Sequence, residues 1–228
     1  MKLELLDAYN IRARLSASII LLAPIAITVF VCFDEIHNIA TSAVIIGLFL
    51  AFTNYVPILL RRLCGSKQYF VNCAVEFLMP NDNTIDAISK HRYYRYLASR
   101  DSSFEMFLEP TTSDEFRKCC ESAVSYLRHH TRDNHLVQEE NINYGFCKNL
   151  LSSKIAGIII CIMLCAMVAI CASMKYDLLI DIPTTYYFVF VTNIAMLIFW
   201  CFGITKQTLE NTARSYARTL IIAIDTLE

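Results

Sequence analysis

Four blocks of the sequence contain no Asp, Glu, Lys or Arg, and this feature limits the possible fold more than any other. They cover residues 15–33, 36–60, 155–174 and 182–205. Each block is close to the ~20 helical residues that cross the hydrocarbon core of a bilayer. Backbone groups in lipid must form their hydrogen bonds within their own segment, so each block is predicted to be a helix. The sequence therefore predicts an all-α membrane protein with four transmembrane helices.

The spacing of the blocks groups the spans into two pairs. Residues 1–60 hold the N-terminal segment and the first pair, and residues 155–205 hold the second pair. Residues 61–154 are predicted to form a helical domain between the pairs, and residues 206–228 a C-terminal amphipathic helix. Only 18% of all residues are charged, against about a quarter in a typical soluble domain. Four buried helices of a soluble bundle are therefore the less favoured interpretation.

The basic residues predict the orientation of the chain in the membrane. Of the twenty Lys and Arg residues, all except Lys175 fall in the N-terminal segment, in residues 61–154 or in the C-terminal tail. Lys and Arg are enriched in loops on the cytoplasmic side. Both termini and the 61–154 domain are therefore predicted to face the cytoplasm, with membrane lipid around the spans.

Helical periodicity organises the 61–154 domain. Thr112 and Glu115 have the spacing of a capping box, and a helix is predicted over 114–132 with an apolar face that recurs every three or four residues. That face consists of Phe116, Cys120, Ala123 and Leu127. A second helix is predicted over 85–98, with apolar surface from Ile88, Tyr93, Tyr96 and Leu97. Residues 101–111 are predicted to be a loop.

The third block follows a polar, partly charged segment without any helix-breaking proline between them. No proline interrupts residues 137–174, so one continuous helix is predicted to join the cytoplasmic domain to a span, with Lys154 extending towards the membrane interface. The tail has an amphipathic pattern, and one face consists of Leu209, Ala213, Tyr216, Leu220, Ala223 or Ile224, and Leu227. This face is predicted to pack either on the chain's own cytoplasmic domain or on another subunit.

Catalytic motifs are absent from the sequence. It contains no P-loop, no GxSxG and no GxGxxG, so we predict a protein that is not an enzyme and needs no cofactor or metal. Two weaker alternatives lie in the run YLRHHTRDNH. Arg128 and His135 have the spacing of some ribonucleases of the HEPN type, and His129, His130, Asp133 and His135 supply metal-ligand chemistry.

The predicted spans contain polar residues but no Asp, Glu, Lys or Arg, and their one histidine, His37, lies at a membrane edge. Ion-coupled transporters usually bury such a group, so a transporter of that kind is not favoured. The pore-lining candidates are Asn54, Asn193 and Thr192, although asparagine also bonds neighbouring helices to one another. Four helices are too few to enclose a wide pore, so a channel would require several subunits in closed symmetry.

Cations and tyrosines alternate on the predicted cytoplasmic side, as in the run KHRYYRYLASR. Arginine with tyrosine suits phosphates and stacked bases. The candidate residues for binding an anionic ligand are Lys90, Arg92, Arg95, Arg128 and Arg132.

Three motifs resemble those of a family of small bacterial inner-membrane proteins. They are TIDAISKHRYYRYLA at 84–98, YLRHHTRD at 126–133 and EENINYGFCKNL at 139–150. The layout is also similar to membrane effectors of bacterial anti-phage systems, the Hailong system in particular. This resemblance implies a homotetrameric channel held shut by a single-stranded DNA oligomer, which a partner nucleotidyltransferase makes. Cys147-Lys148-Asn149 stands where the family tends to read Arg-Arg-Asn.

The sequence leaves three functional hypotheses. The first is an oligomeric channel gated by a nucleotide or oligonucleotide on its cytoplasmic domain, which depolarises the inner membrane during abortive infection. The second is a membrane anchor that recruits a cytoplasmic partner without conducting ions. The third is a membrane-bound nuclease that uses Arg128 and His135.

Overall fold

The computed structural model of the chain describes residues 10–33 and 69–227. Within these ranges every regular element is a helix. The chain divides into two compact units. We call residues 1–66 and 145–206 the membrane unit, and residues 67–144 and 207–228 the polar unit. The predicted second span, 36–60, and its Asn54 lie outside the described residues.

The helices of the described ranges are numbered in chain order. They are α1 (Ser16–Cys32), α2 (Tyr69–Leu78), α3 (Ala87–Arg100), α4 (Asp114–His130), α5 (His135–Lys175), α6 (Thr184–Ile198) and α7 (Lys206–Ile222). π-helical turns precede α1 and follow α6, at Asn10–Leu15 and Phe199–Gly203. Short 3₁₀ helices lie at Ser102–Leu108, Leu179–Asp181 and Ala223–Thr226.

Three helices of the described residues are long and apolar enough to cross a membrane. They are Arg12–Cys32, α5, and α6 with the turn that follows it, Thr184–Gly203. They coincide with the first, third and fourth uncharged blocks of the sequence. The all-helical class and membrane-spanning composition are therefore confirmed for these three blocks, and four spans stay a prediction.

Helix α5 is the longest element and belongs to both units. The predicted continuous helix over 137–174 is confirmed, since α5 has 41 residues from His135 to Lys175. The division between the units falls inside it, after Tyr144. In the membrane unit α5 buries a stripe at helical spacing. The stripe consists of Gly157, Cys161, Leu164, Val168 and Ala172.

The opposite face of α5 is equally apolar but exposed. It carries Ile155, Ile159, Ile162, Met163, Ile170 and Met174. Exposed apolar side chains also follow one another along α6, at Phe188, Val191, Ile194 and Ile198. Contiguous apolar surface of this kind marks contact with lipid or with other proteins. These exposed faces are therefore compatible with insertion of the unit into a bilayer.

Helix α4 confirms the predicted 114–132 helix, but its N-cap lies one residue away from the predicted position. Ser113, not Thr112, is the N-cap, because its Oγ accepts the Phe116 N–H at 3.2 Å from extended backbone. A capping box needs Glu or Gln three residues after the cap, and Phe116 occupies that position. Thr111 supports the cap instead, through a hydroxyl–hydroxyl contact of 2.9 Å with Ser113. The predicted apolar face of α4 is buried.

Helix α3 begins at Ala87 behind the N-cap Asp86, whose carboxylate accepts the Ser89 N–H at 2.9 Å. Ile88, one of the residues predicted to supply apolar surface on this helix, is 86% exposed. Leu97 is fully buried and lies nine residues further on. Nine residues at 3.6 per turn end on the opposite side of the helix.

The predicted loop 101–111 contains the 3₁₀ helix Ser102–Leu108. Asp101 caps it by accepting the Ser103 N–H at 2.8 Å. Phe104 and Phe107 are buried there, and the Phe107 ring lies 5.2 Å from that of Phe116 on α4. Apolar residues in this segment therefore contribute to the core of the polar unit.

Helix α7 packs within the polar unit. The Tyr216 ring stacks on Phe70 of α2 at 4.0 Å between centroids. The predicted apolar face of the tail is buried from Leu209 to Ile224, and Leu227 is partly exposed. Of the two alternatives for the tail, packing on the chain's own polar domain is the one present, and this face is not available to another subunit.

Candidate functional site

Lys90, the first predicted ligand-binding residue, is a buried structural group. Its side chain is on α3 and only 5% of the residue is exposed. Its Nζ donates hydrogen bonds to the carbonyl oxygens of Met79 at 2.9 Å and Asp82 at 2.5 Å. Burial lowers the pKa of this ammonium, and the Asp82 carboxylate at 3.9 Å opposes that shift. Lys90 thus joins α3 to the turn that precedes it.

Arg92 makes an ion pair with the C-terminal part of the polar unit. Its Nη2 lies 2.6 Å from Oδ1 of Asp225, and the Tyr93 hydroxyl donates to Oδ2 of the same carboxylate at 3.0 Å. Both charged side chains are partly exposed, so this pair contributes up to about 1 kcal/mol to stability. Arg92 is therefore engaged within the chain.

The other three predicted cations are exposed but do not converge. Arg95 lines a pocket of 340 Å³ that Lys90 also lines. The Arg128 guanidinium lies over the Phe70 ring, 5.5 Å from its centroid. Arg132 follows α4, is exposed and is not part of the pocket. Of the five predicted residues, only Lys90 and Arg95 share a pocket.

The tyrosines beside these cations are buried and are not stacking platforms. The Tyr94 hydroxyl donates to the carbonyl oxygen of Leu78 at 2.6 Å, and the Tyr96 hydroxyl reaches that of Leu227 at 3.5 Å. Their rings belong to the core of the polar unit. The interpretation of KHRYYRYLASR as a surface for stacked bases is therefore wrong for these rings. The sequence shows that cations and tyrosines alternate, but only the packing of the helix shows which of these side chains are buried.

The residues of the nuclease and metal hypotheses have other contacts. His135 Nε2 lies 3.8 Å from the Glu139 carboxylate, and the His130 ring stacks on Tyr126 at 3.9 Å between centroids. Arg128 covers Phe70 as described above. Across the residues that the structure describes, no three His, Cys, Asp or Glu side chains form a group that could hold a metal ion.

Asn193, a predicted pore-lining residue, lies between two helices of its own chain. It is 1% exposed, and its Nδ2 donates to the Thr28 hydroxyl of α1 at 3.0 Å. Thr192, also predicted to line a pore, donates its hydroxyl to the Phe188 carbonyl at 2.8 Å. Thr192 also borders a groove of 410 Å³ between α1 and α6. The structure therefore places Asn193 in a helix–helix contact, which was the alternative to the pore.

Two polar residues connect α5 to the other described candidate spans through hydrogen bonds that the sequence did not predict. Asn149 is buried and donates to the Ala13 carbonyl oxygen at 2.6 Å, at the start of the first span. Lys154 donates to the carbonyl oxygens of Cys201 at 2.9 Å and Ile204 at 2.8 Å, where the last span ends. Carbonyl oxygens at a helix C-terminus have no partner within the helix, and an ammonium satisfies them.

Beyond Lys154, the contact between α5 and the last span is tight. Trp200 is fully buried in the π-helical turn, and its indole covers Gly157 of α5. A Cβ atom on Gly157 would overlap this ring, with 2.8 Å to Nε1. The indole Nε1 has no hydrogen-bond partner among the described residues. Small residues let helix backbones approach closely in membranes, and Gly157 has that role here.

The polar unit contains a buried thiol and a buried tyrosine hydroxyl, and their burial predicts that the unit loses stability at alkaline pH. Burial raises the pKa of the Cys120 thiol from 9.0 to about 12, and that of the Tyr94 hydroxyl above its usual 10.0. A group with a raised folded-state pKa contributes stability below its unfolded pKa and loses it as the pH rises. Lys90, whose pKa is lowered, acts in the opposite direction.

We therefore expect the urea midpoint of the polar unit to fall between about pH 8 and about pH 10.5. In Cys120→Ala the fall in the urea midpoint is expected to be smaller, because the thiol with the raised pKa has been removed. The measurement uses the detergent-solubilised full chain and circular dichroism. An equal fall in both proteins would show that the Cys120 thiol does not titrate in a buried site.

Comparison of this chain with protein family models, with curated proteins and with solved structures found no match. The resemblance drawn from the three sequence motifs stays a hypothesis. Functional inference therefore depends on the contacts described above.

Proposed function

We propose that this chain is a subunit of an oligomeric membrane channel that an anionic ligand on the polar unit opens or closes. The observation that carries the proposal is the unbroken helix α5. Its first residues, including Val137, Ile142 and Tyr144, are buried in the polar unit, and its remainder is a candidate span. A conformational change in the polar unit that moves the first turns of α5 would therefore also move its membrane-spanning part, because both belong to one helix.

The bonds of Asn149 and Lys154 support the same proposal. They join α5 to the start of α1 and to the end of the last span. Rotation or tilt of α5 would therefore act on both helices through these bonds. A ligand shifts such an equilibrium only through its different affinities for the two states, and a clean switch needs a ratio of about 10⁴.

The exposed apolar faces of α5 and α6 support an assembly of several subunits around a pore. The proposal includes a nucleotide or oligonucleotide as the ligand, the bacterial inner membrane as the site and depolarisation as the output. These parts, with a tetramer and a partner nucleotidyltransferase, depend on the motif resemblance.

Ion flux from liposomes tests this function. The purified chain is reconstituted, its insertion is checked by protease protection, and flux is measured with and without short oligonucleotides or cyclic nucleotides. We expect flux that one of these ligands changes. In Lys154→Met, which removes both bonds to the last span, that change is expected to weaken, while the exposed control Lys206→Met retains it. Absence of flux from correctly inserted protein would contradict the channel.

A membrane anchor that recruits a cytoplasmic partner is the second candidate, and the buried Asn193–Thr28 bond favours it. For an anchor, Asn193→Val would lower stability by about 1 kcal/mol and change nothing else. Thr192→Val is the neighbouring control. A change in ion flux with Asn193→Val at unchanged stability would favour the channel instead.

A further inference from the structure

The pocket shared by Lys90 and Arg95 carries more positive charge than the chain itself neutralises. Lysine has three N–H donors, and Lys90 uses two of them on carbonyl oxygens. The nearest carboxylate oxygen, on Asp82, is 3.9 Å away, beyond hydrogen-bond distance. Both oxygens of that carboxylate already accept hydrogen bonds from Thr84. One donor of this buried ammonium therefore has no acceptor among the described residues, and Lys90 lines the pocket.

Arg95 adds a second charge at the exposed side of the pocket. It lines the pocket, and the described part of the chain gives its guanidinium no ion pair or hydrogen bond. A guanidinium binds the oxygens of a phosphate or carboxylate in a fork of two parallel hydrogen bonds. His91 lines the same side. Lys90 and Arg95 therefore bring two positive charges to the pocket against the one negative charge of Asp82, and this excess favours binding of an anion.

Apart from Asn83 and Tyr94, the remaining residues that line the pocket are apolar. They include Pro80, Ile85, Phe107, Leu108 and Pro110. The volume of 340 Å³ is near the lower end of the ~300–1,000 Å³ that is usual for small-molecule pockets. An extended strand of nucleic acid instead requires a groove that follows several nucleotides. The pocket therefore has room for one ring and one anionic group.

We propose that this pocket binds a small organic anion, a phosphate or carboxylate attached to one flat apolar ring system. The ring packs against the proline and Phe107 walls, and the anionic oxygens meet Arg95 and the free donor of Lys90. The inference builds on the proposed function and narrows its ligand to a molecule of the size of a nucleoside monophosphate. An oligonucleotide would enter by a terminal residue only, and Arg128 and Arg132 would not contribute.

Binding is tested with the detergent-solubilised full chain and four probes in a calorimetric titration. Phenyl phosphate and adenosine 5′-monophosphate carry a ring and an anion, whereas adenosine and inorganic phosphate carry one of the two. We expect at least one ring-bearing anion to bind about tenfold or more tightly than either part alone. Equal binding of the parts and the whole, or no binding of a ring-bearing anion, would overturn the proposal.

Two pairs of variants place the binding in this pocket. Arg95→Gln is expected to weaken binding by about tenfold or more, and Arg117→Gln, the same change on exposed α4 surface, leaves it unchanged. Leu108→Asp places a carboxylate on the pocket wall at a residue that is 61% exposed, so folding is not at risk. Leu136→Asp, at 69% exposure outside the pocket, is its control. Equal affinities within either pair would overturn the assignment.

These results separate the pocket from the channel. Binding that Arg95→Gln abolishes, in a protein that never conducts ions, would support the pocket and contradict the proposed function. Ligand-controlled flux that persists unchanged in Arg95→Gln would support the channel and overturn the pocket.

Discussion

Replacing Gly157 by valine is expected to destabilise the membrane unit by about 3 kcal/mol, the upper end of the usual cost of overpacking. The new side chain would enter the space of the Trp200 indole, which is fully buried between helices. Helix association in lipid depends on close packing, because the apolar tails of the lipid offer no hydrophobic driving force. The loss of this contact therefore has no compensation from burial elsewhere.

Tryptophan fluorescence reports on the contact between Trp200 and Gly157, because Trp200 is the only tryptophan in the chain. In Gly157→Val we expect a red-shifted emission maximum together with a lower thermal midpoint in detergent. The matched control is Ala166→Val, a small-to-β-branched change on the exposed face of the same helix. An unchanged emission spectrum and midpoint in Gly157→Val would mean that α5 and the last span do not meet at this residue.

A second substitution tests whether the contact is specific. Trp200→Leu leaves space beside α5, so adding Gly157→Ala to it is expected to cost less than Gly157→Ala alone. Residues in direct contact show coupling energies of about 0.5–3 kcal/mol. Thermal midpoints of the four proteins give this coupling. Additive effects would show that the two side chains do not share a space.

Replacing Lys90 by alanine is expected to lower the free energy of unfolding of the polar unit by about 2–4 kcal/mol. The change removes both hydrogen bonds to the turn at Met79 and Asp82, and leaves a cavity where the aliphatic stem was buried. Lys90→Met keeps the stem and removes the buried charge. We expect it to cost about 1–2 kcal/mol, because two carbonyl oxygens lose their donor.

Urea denaturation of the detergent-solubilised chain measures both effects. Lys118→Ala is the control, because this lysine is exposed on α4 and surface changes usually stay within about 0.5 kcal/mol. If Lys90→Ala were as stable as Lys118→Ala, the ammonium would not be bonded to the turn.

The corrections to the sequence-based expectations share one cause. Helical periodicity predicts which residues lie on the same face of a helix, and it identified the buried faces of α4 and α7. It does not predict what the opposite face meets. Tyr94 was therefore assigned to a binding surface, although its ring is buried and its hydroxyl donates to the Leu78 carbonyl oxygen of α2. Ile88 was grouped with Leu97 on the apolar surface of its helix, although Ile88 is exposed and Leu97 is fully buried.

For polar residues near the spans, too, the sequence did not predict the contact partner. Lys154 was expected to extend towards the interface, and Asn193 was left between a pore and a helix contact. Their partners are a carbonyl at Cys201 and a hydroxyl at Thr28, both remote in sequence. Such partners become available only after helices end or pack, so no local pattern contains them.

The sequence by itself determined the helical class, the membrane-compatible spans of the described residues and the unbroken helix α5. The physical reason is that uncharged segments of this length must satisfy their backbone groups internally in lipid. Only the tertiary structure decided which cations share a pocket, which polar side chains join α5 to its neighbours, and why Gly157 must remain small. Those features depend on contacts between segments far apart in the chain, such as Asn149 with Ala13 and Gly157 with Trp200.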